Sequence, residues 1–208
     1  MPRQPTVTEI RLANITTCLT PALTLLSELN DAFGSPFIQP ISKTVLSLMS
    51  MVQHVKRNKN ECAEFMENIH RVLYSIVDLH IKSETPGSLP PLVVDHIGKF
   101  LETLHKIYTF TGAQQEGNKI KQIFRHSEMN TLLRECQAGM CQALENFKSD
   151  TGVSVLSNME EMKKMADTMH KKLLELISTL SDATISERSS SYKFILNVAF
   201  KAKDIPWS

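Results

Sequence analysis

The sequence predicts an all-α fold in which several long amphipathic helices pack as a bundle. Apolar residues recur at intervals of three and four in successive segments, which is the period of a helix with one buried face. Eight of the nine prolines lie at or before Pro91 and the ninth is Pro206, so residues 92–205 favour long helices. Hydrophobic residues at 42% and charged residues at 22% are typical of a globular chain.

The first two helices are predicted before residue 56. The helical pattern runs from Thr6 to about Asn30, and Pro21 within it should kink the helix or restart it. Residues 34–36, Gly-Ser-Pro, predict the turn that follows. The second helix carries a seam typical of bundles, spaced four, three, four and three: Ile41, Val45, Leu48, Val52 and Val55.

Three further helical segments follow. We expect Asn58 or Asn60 to cap a third helix, and the proline-rich loop 83–91 to separate it from a fourth. A fifth segment over 118–149 is predicted to bend at 126–128. The apolar positions of the fourth helix are Val93, Ile97, Phe100, Leu101, Leu104, Ile107 and Tyr108.

A stripe of apolar residues after residue 155 forms three heptads: Met159, Met162, Ala166, Met169, Leu173, Leu176 and Leu180. Such a stripe needs a surface to pack on. Packing on the preceding bundle is favoured over a separate coiled-coil oligomer, because three heptads are near the lower limit for a coiled coil. The apolar block 192–200 leaves open a docking helix, a strand or the start of a further element.

The sequence shows no pattern of a catalytic or metal site, so we expect no enzymatic activity and no cofactor. None of the seven histidines belongs to an HExxH or Cys/His pattern, and no phosphate-binding or nucleophile-elbow motif occurs. A helical enzyme with an unrecognised site is the weakest alternative. The net charge of +1 argues against nucleic-acid binding.

Cysteine usage and hydropathy indicate a cytoplasmic protein. The four cysteines form no CxxC pair and are expected to be reduced thiols. No run of 18 apolar residues occurs, so we expect any membrane contact to be peripheral or to follow a conformational change.

Basic residues gather in three clusters although the net charge is close to zero. Each Lys or Arg near an anionic bilayer contributes about 1 kcal/mol, so such a cluster gives reversible recruitment. A solvated loop or helix face is the simpler interpretation of each cluster taken alone. The clusters are Lys56, Arg57 and Lys59; Lys119, Lys121 and Arg125; and Lys163, Lys164, Lys171 and Lys172.

Four stretches of the chain together resemble a known family. Residues 55–65 read VKRNKNECAEF and 69–73 read IHRVL, while 100–104 read FLETL and 118–125 read NKIKQIFR. They are similar to the lysine-rich turn, third helix, fourth helix and basic fifth segment of the N-terminal domain of mixed-lineage-kinase-domain-like (MLKL) proteins. The resemblance covers about residues 5–150, and residues 155–181 resemble the brace helix of that family.

The resemblance implies an antiparallel four-helix bundle over 1–150, an additional C-terminal brace helix over 151–183, and a linker and tail over 184–208. It implies a non-enzymatic, innate-immunity-type cell-death signalling bundle, related to the fungal HeLo-type bundles and to the helical N-terminal domain of Cbl adaptors. On activation such a bundle oligomerises and moves from the cytoplasm to the plasma membrane, where it binds anionic phospholipids. The basic residues carried over to this role are Lys56, Arg57, Lys59, Lys119, Lys121 and Arg125.

The alternative function is an adaptor that docks a partner protein or self-associates without membrane activity. Its motivation is the near-neutral charge and a methionine-rich face that suits adaptable packing: Met159, Met162, Met165 and Met169. The 208 residues show no kinase or nucleotide-binding pattern, which leaves two alternatives: a separate sensor or adaptor protein as partner, or a chain that is part of a larger receptor-like protein.

Overall fold

The structure is a computed structural model that describes residues 4, 6–83, 89–115, 126–147, 164 and 167–179. Its five longer helices are α1 (Val7–Phe33), α2 (Ile38–Val52), α3 (Lys59–Lys82), α4 (Pro91–Ala113) and α5 (His126–Asn146). Residues 167–179 are also helical and are called the C-terminal segment below. The described residues contain no strand beyond one bridge between Val55 and Gln115, so the predicted all-α class is confirmed.

Local sequence signals set both ends of α1. Thr6 and Glu9 form a capping box, in which the Glu9 N–H donates to Thr6 Oγ1 at 3.3 Å and the Thr6 N–H donates to Glu9 Oε2 at 2.8 Å. Gly34 ends the helix with a left-handed φ of 64°, and its N–H donates to the Asn30 carbonyl. The helix continues through Pro21, so the predicted restart there was wrong.

The apolar seam predicted for α2 is buried, because α2 packs between α1 and α4. Each of its five residues is at most 2% exposed: Ile41, Val45, Leu48, Val52 and Val55. Helix α3 packs against α1, α2 and α5. It therefore buries polar side chains as well as apolar ones, namely His70, Asp78 and His80.

Helix α4 packs against α2 and α5 with a face that differs in part from the predicted one. Tyr108 is 40% exposed, whereas Phe110 is 1% exposed and meets the Phe65 ring edge-on at a centroid distance of 6.0 Å. The expected burial of Tyr108 was wrong because the buried face turns around the helix in steps of mostly three. The core positions on this helix are Ile97, Phe100, Leu104, Ile107 and Phe110.

One end of the molecule, called the turn end below, brings together the starts of α1, α3 and α5 and the ends of α2 and α4. Thr8 of α1 donates its hydroxyl to Asn60 Oδ1 of α3 at 3.0 Å. The Gln114 amide, directly after α4, lies 3.4 Å from Met129 Sδ near the start of α5. The bridge between Val55 and residue 115 joins the end of α2 to the end of α4.

The opposite end carries the start of α4 and the end of α5. His96 of α4 meets Phe147, directly after α5, edge-on with ring centroids 6.3 Å apart. The C-terminal segment packs on the core away from the turn end, where Leu173 is fully buried and His170 lies 3.1 Å from Glu28 of α1.

Gly139 on α5 permits a close approach to α4. A Cβ there would lie 2.6 Å from Thr103 Oγ1, on a buried side chain whose hydroxyl donates to the Lys99 carbonyl. We expect Gly139→Ala to lower the free energy of unfolding by about 1–3 kcal/mol, because Thr103 would have to shift. Nothing lies within 4 Å of a Cβ at Gly98, so Gly98→Ala should instead raise stability by up to about 1 kcal/mol. Urea denaturation compares the two, and equal effects would contradict the close approach.

The buried imidazole of His70 predicts a pH-dependent stability. Its Nε2 has no hydrogen-bond partner among the described residues, and burial lowers the pKa of His70 to about 4. The folded state therefore binds this proton less tightly than the unfolded chain, whose histidines titrate near pH 6.5. The stability contributed by the neutral His70 is therefore fully present above about pH 6.5 and is lost on acidification. The free energy of unfolding falls by about 2 kcal/mol between pH 7 and 5.

The variant His70→Phe keeps a ring against Tyr74, whose centroid lies 4.7 Å from that of His70, and removes the titrating group. We expect the loss of unfolding free energy between pH 7 and 5 to shrink by about 2 kcal/mol in this variant. His105→Gln, at an exposed position, should keep the wild-type loss. A full pH dependence in His70→Phe, measured by urea denaturation at both pH values, would contradict the assignment.

Candidate functional site

The basic turn, residues 53–58, connects α2 to α3 at the turn end. Val55 is 2% exposed and pairs with Gln115 in the antiparallel bridge. The Lys56 N–H donates to the Gln114 carbonyl at 3.1 Å, and the Gln115 side-chain amide donates at 3.1 Å to a carbonyl in the last turn of α2. These bonds hold the backbone of the basic turn against the end of α4.

Asn58 lies at the predicted cap position of α3 but does not cap the helix with its side chain. Its backbone is left-handed, with φ of 48°, a conformation that asparagine tolerates better than most residues. Its Nδ2 donates instead to Gln114 Oε1 at 3.1 Å, and the Gln114 amide donates to the Phe110 carbonyl at 3.2 Å. The predicted cap position is therefore confirmed at Asn58, although its side chain bonds the residue that follows α4 and makes no capping bond.

The three cations of the first basic cluster differ in their surroundings. Lys56 and Arg57 are exposed and form no ion pair with any described residue. Lys59 is half-buried, and its Nζ lies 2.7 Å from Glu9 Oε1 of α1. The bond to Lys59, followed by the one from the Thr6 N–H, lowers the pKa of Glu9 to about 2. Lys59 therefore joins α3 to α1, and two exposed cations remain on the basic turn.

The second basic cluster, Lys119, Lys121 and Arg125, lies outside the described residues. In the sequence, Lys119 follows Gln115 by four residues and Arg125 directly precedes α5.

The C-terminal segment holds part of the predicted heptad seam. Met169 is 7% exposed and Leu173 is fully buried in the core, while Leu176 is half-buried. Ile177, which the pattern did not single out, also packs on the core. Lys164, Lys171 and Lys172 are exposed. The remaining seam residues and one lysine of the third cluster lie outside the described part of the chain: Met159, Met162, Ala166, Leu180 and Lys163.

The described residues show no arrangement typical of a catalytic or metal site. Among them, no group of three His, Cys, Asp or Glu side chains is placed to hold a metal ion. Burial raises the pKa of the Cys62 and Cys136 thiols to about 12, so neither is a thiolate at neutral pH. An open groove of about 330 Å³ between α1 and the C-terminal segment is lined by Thr20, Pro21, Thr24, Leu25, Asp167 and His170.

The residues that hold the basic turn have no signature in the sequence. Gln114 and Gln115 fix its backbone and Glu9 binds Lys59, yet each pair of partners lies 50 to 64 positions apart.

No helix in the described ranges is long and apolar enough to cross a membrane. Comparison with protein-family models, with curated proteins and with solved structures finds no match to this chain.

Substitution of Gln114 tests how the basic turn is held, because this residue is 5% exposed and its side chain bonds both Asn58 and α4. We expect Gln114→Ala to lower the free energy of unfolding by about 1–2 kcal/mol, because the Asn58 amide loses its partner. Amide hydrogens of residues 53–58 should also exchange faster. Gln53→Ala, at an exposed position of the same turn, is the control. If both variants behave alike in denaturation and exchange, Gln114 does not hold the turn.

Proposed function

We propose that this chain is a non-enzymatic signalling bundle of the cell-death type that self-associates and binds anionic phospholipid membranes through its basic turn. The observation that carries the proposal is the exposure of Lys56 and Arg57 on a backbone fixed by Gln114 and Gln115. A fixed backbone lowers the conformational entropy lost when cations meet a charged surface.

The proposed architecture is an antiparallel helical bundle with a brace helix, in which the described residues form five long helices where the resemblance implies four. The positions of the helix termini support this architecture, because α1, α3 and α5 begin at the turn end whereas α2 and α4 finish there. Helices arranged in this way alternate in direction, as in an up-and-down bundle. The burial of Met169 and Leu173 supports a brace that packs on the bundle, in preference to a separate coiled coil.

Electrostatics favours membrane binding by several copies. Two exposed cations at about 1 kcal/mol each strengthen binding to an anionic bilayer by about 30-fold. Self-association places several basic turns on one membrane, and such multivalency raises the affinity of the assembly far above that of one copy.

The adaptor alternative depends on the methionine-rich face of the C-terminal region. Of its four methionines, Met169 belongs to the described residues and is buried in the core. A buried side chain is not available to dock a partner while the segment stays in place. The observations therefore favour membrane binding through the basic turn over partner docking through this face.

The proposal is tested with vesicles and two charge-reversal pairs. We expect the wild-type chain to co-sediment with vesicles of phosphatidylserine and phosphoinositide but not with phosphatidylcholine alone. Lys56→Glu/Arg57→Glu should weaken this binding at least tenfold, by loss of attraction and added repulsion. Lys43→Glu/Arg134→Glu changes the net charge equally at exposed positions of α2 and α5 and should bind like the wild type. Equal binding of the two pairs, or no binding by the wild type, would refute the proposal.

A further inference from the structure

The contact between the C-terminal segment and α1 contains a buried carboxylate oxygen that faces a histidine. His170 Nδ1 lies 3.1 Å from Glu28 Oε2. That oxygen is buried, and its distance from Nδ1 is that of an ion pair when the imidazole is protonated. An imidazolium attracts the carboxylate by its charge, whereas a neutral imidazole offers at most a hydrogen bond.

The charged surroundings of His170 come from three elements. Helix α1 contributes Glu28, and the segment itself contributes Asp167, one turn earlier, which lines the same groove. Helix α3 contributes Tyr74, where burial, with a smaller effect of Asp167, raises the pKa of the hydroxyl, so it stays neutral. The two lysines that follow His170 are exposed. Among the described residues, Glu28 is the carboxylate that lies within ion-pair distance of His170.

The ion pair lies beside the apolar anchor of the segment. Met169 and Leu173 flank His170 in sequence and are buried in the core. A single helix in water depends on tertiary contacts, so a small change in one contact alters the fraction of molecules in which the segment is docked.

We propose that protonation of His170 tightens the docking of the C-terminal segment on α1, which makes this contact a pH-sensitive latch. An imidazolium pairs with a carboxylate more strongly than a neutral imidazole does, so the latch is stronger at lower pH. Only the consequence of release rests on the proposed function: undocking would free the brace and expose apolar surface. The docking equilibrium itself involves no lipid.

Hydrogen exchange of the whole chain, without lipid, at pH 6.0 and 7.5 tests the latch. After correction for the intrinsic pH dependence of exchange, we expect residues 167–179 to be about two- to fivefold better protected at pH 6.0. Glu28→Gln should remove this difference, because an amide does not attract an imidazolium. His105→Gln, which alters an exposed histidine on α4, should keep it.

Two features make the result decisive. Acidification lowers global stability through His70, so a rise in protection at pH 6.0 has the opposite sign to that effect. If Glu28→Gln reduces protection throughout the five helices, the substitution destabilises the whole fold. The variant His170→Gln is then used in its place, because the His170 side chain is 43% exposed. Equal protection of the wild type at both pH values, or an unchanged difference in the Glu28 and His170 variants, would overturn the latch. Failure of vesicle binding would leave it standing, because no lipid is present.

Discussion

The burial of α3 between α1, α2 and α5 is the constraint on which the other features depend. Because neighbours cover several sides of α3, its N-terminus lies where α2 and α4 end, and the preceding turn is pressed against Gln114 and Gln115. The same burial leaves His70 without a hydrogen-bond partner in the described part of the molecule and disfavours its charged form. One packing arrangement thus produces both the fixed basic turn and the acid sensitivity of the core.

The helices were predictable from the sequence because their signals are local. The seam predicted for α2 is buried at all five positions, although Val55 lies in the turn that follows the end of the helix at Val52. Helix α4 begins at Pro91, the last residue of the predicted proline-rich loop. The errors lie where tertiary contacts decide the outcome. The Asn58 side chain bonds Gln114 and makes no capping bond to its own helix. Tyr108 is exposed because the buried face of α4 turns around the helix. No local pattern carries that information.

For the candidate site, the sequence predicted which basic residues lie together but not which of them are free of ion pairs. The sequence places Lys56, Arg57 and Lys59 in one cluster, but it does not show that Glu9 neutralises Lys59 from 50 positions away. The pairing of His170 with Glu28 joins residues still further apart. The chain thus keeps a net charge of +1 while presenting two exposed cations at the turn end. Which charges remain available is a property of the packing.

The central claim is that the turn end faces the membrane, and a fluorescent amino acid sensitive to its environment tests this most directly. One protein carries it at Gln53, an exposed residue of the basic turn, and another at Glu145, an exposed residue near the opposite end. On addition of phosphatidylserine vesicles, the account predicts a blue shift of the emission at position 53 and none at position 145. A shift at position 145 alone, or at neither position, would contradict it.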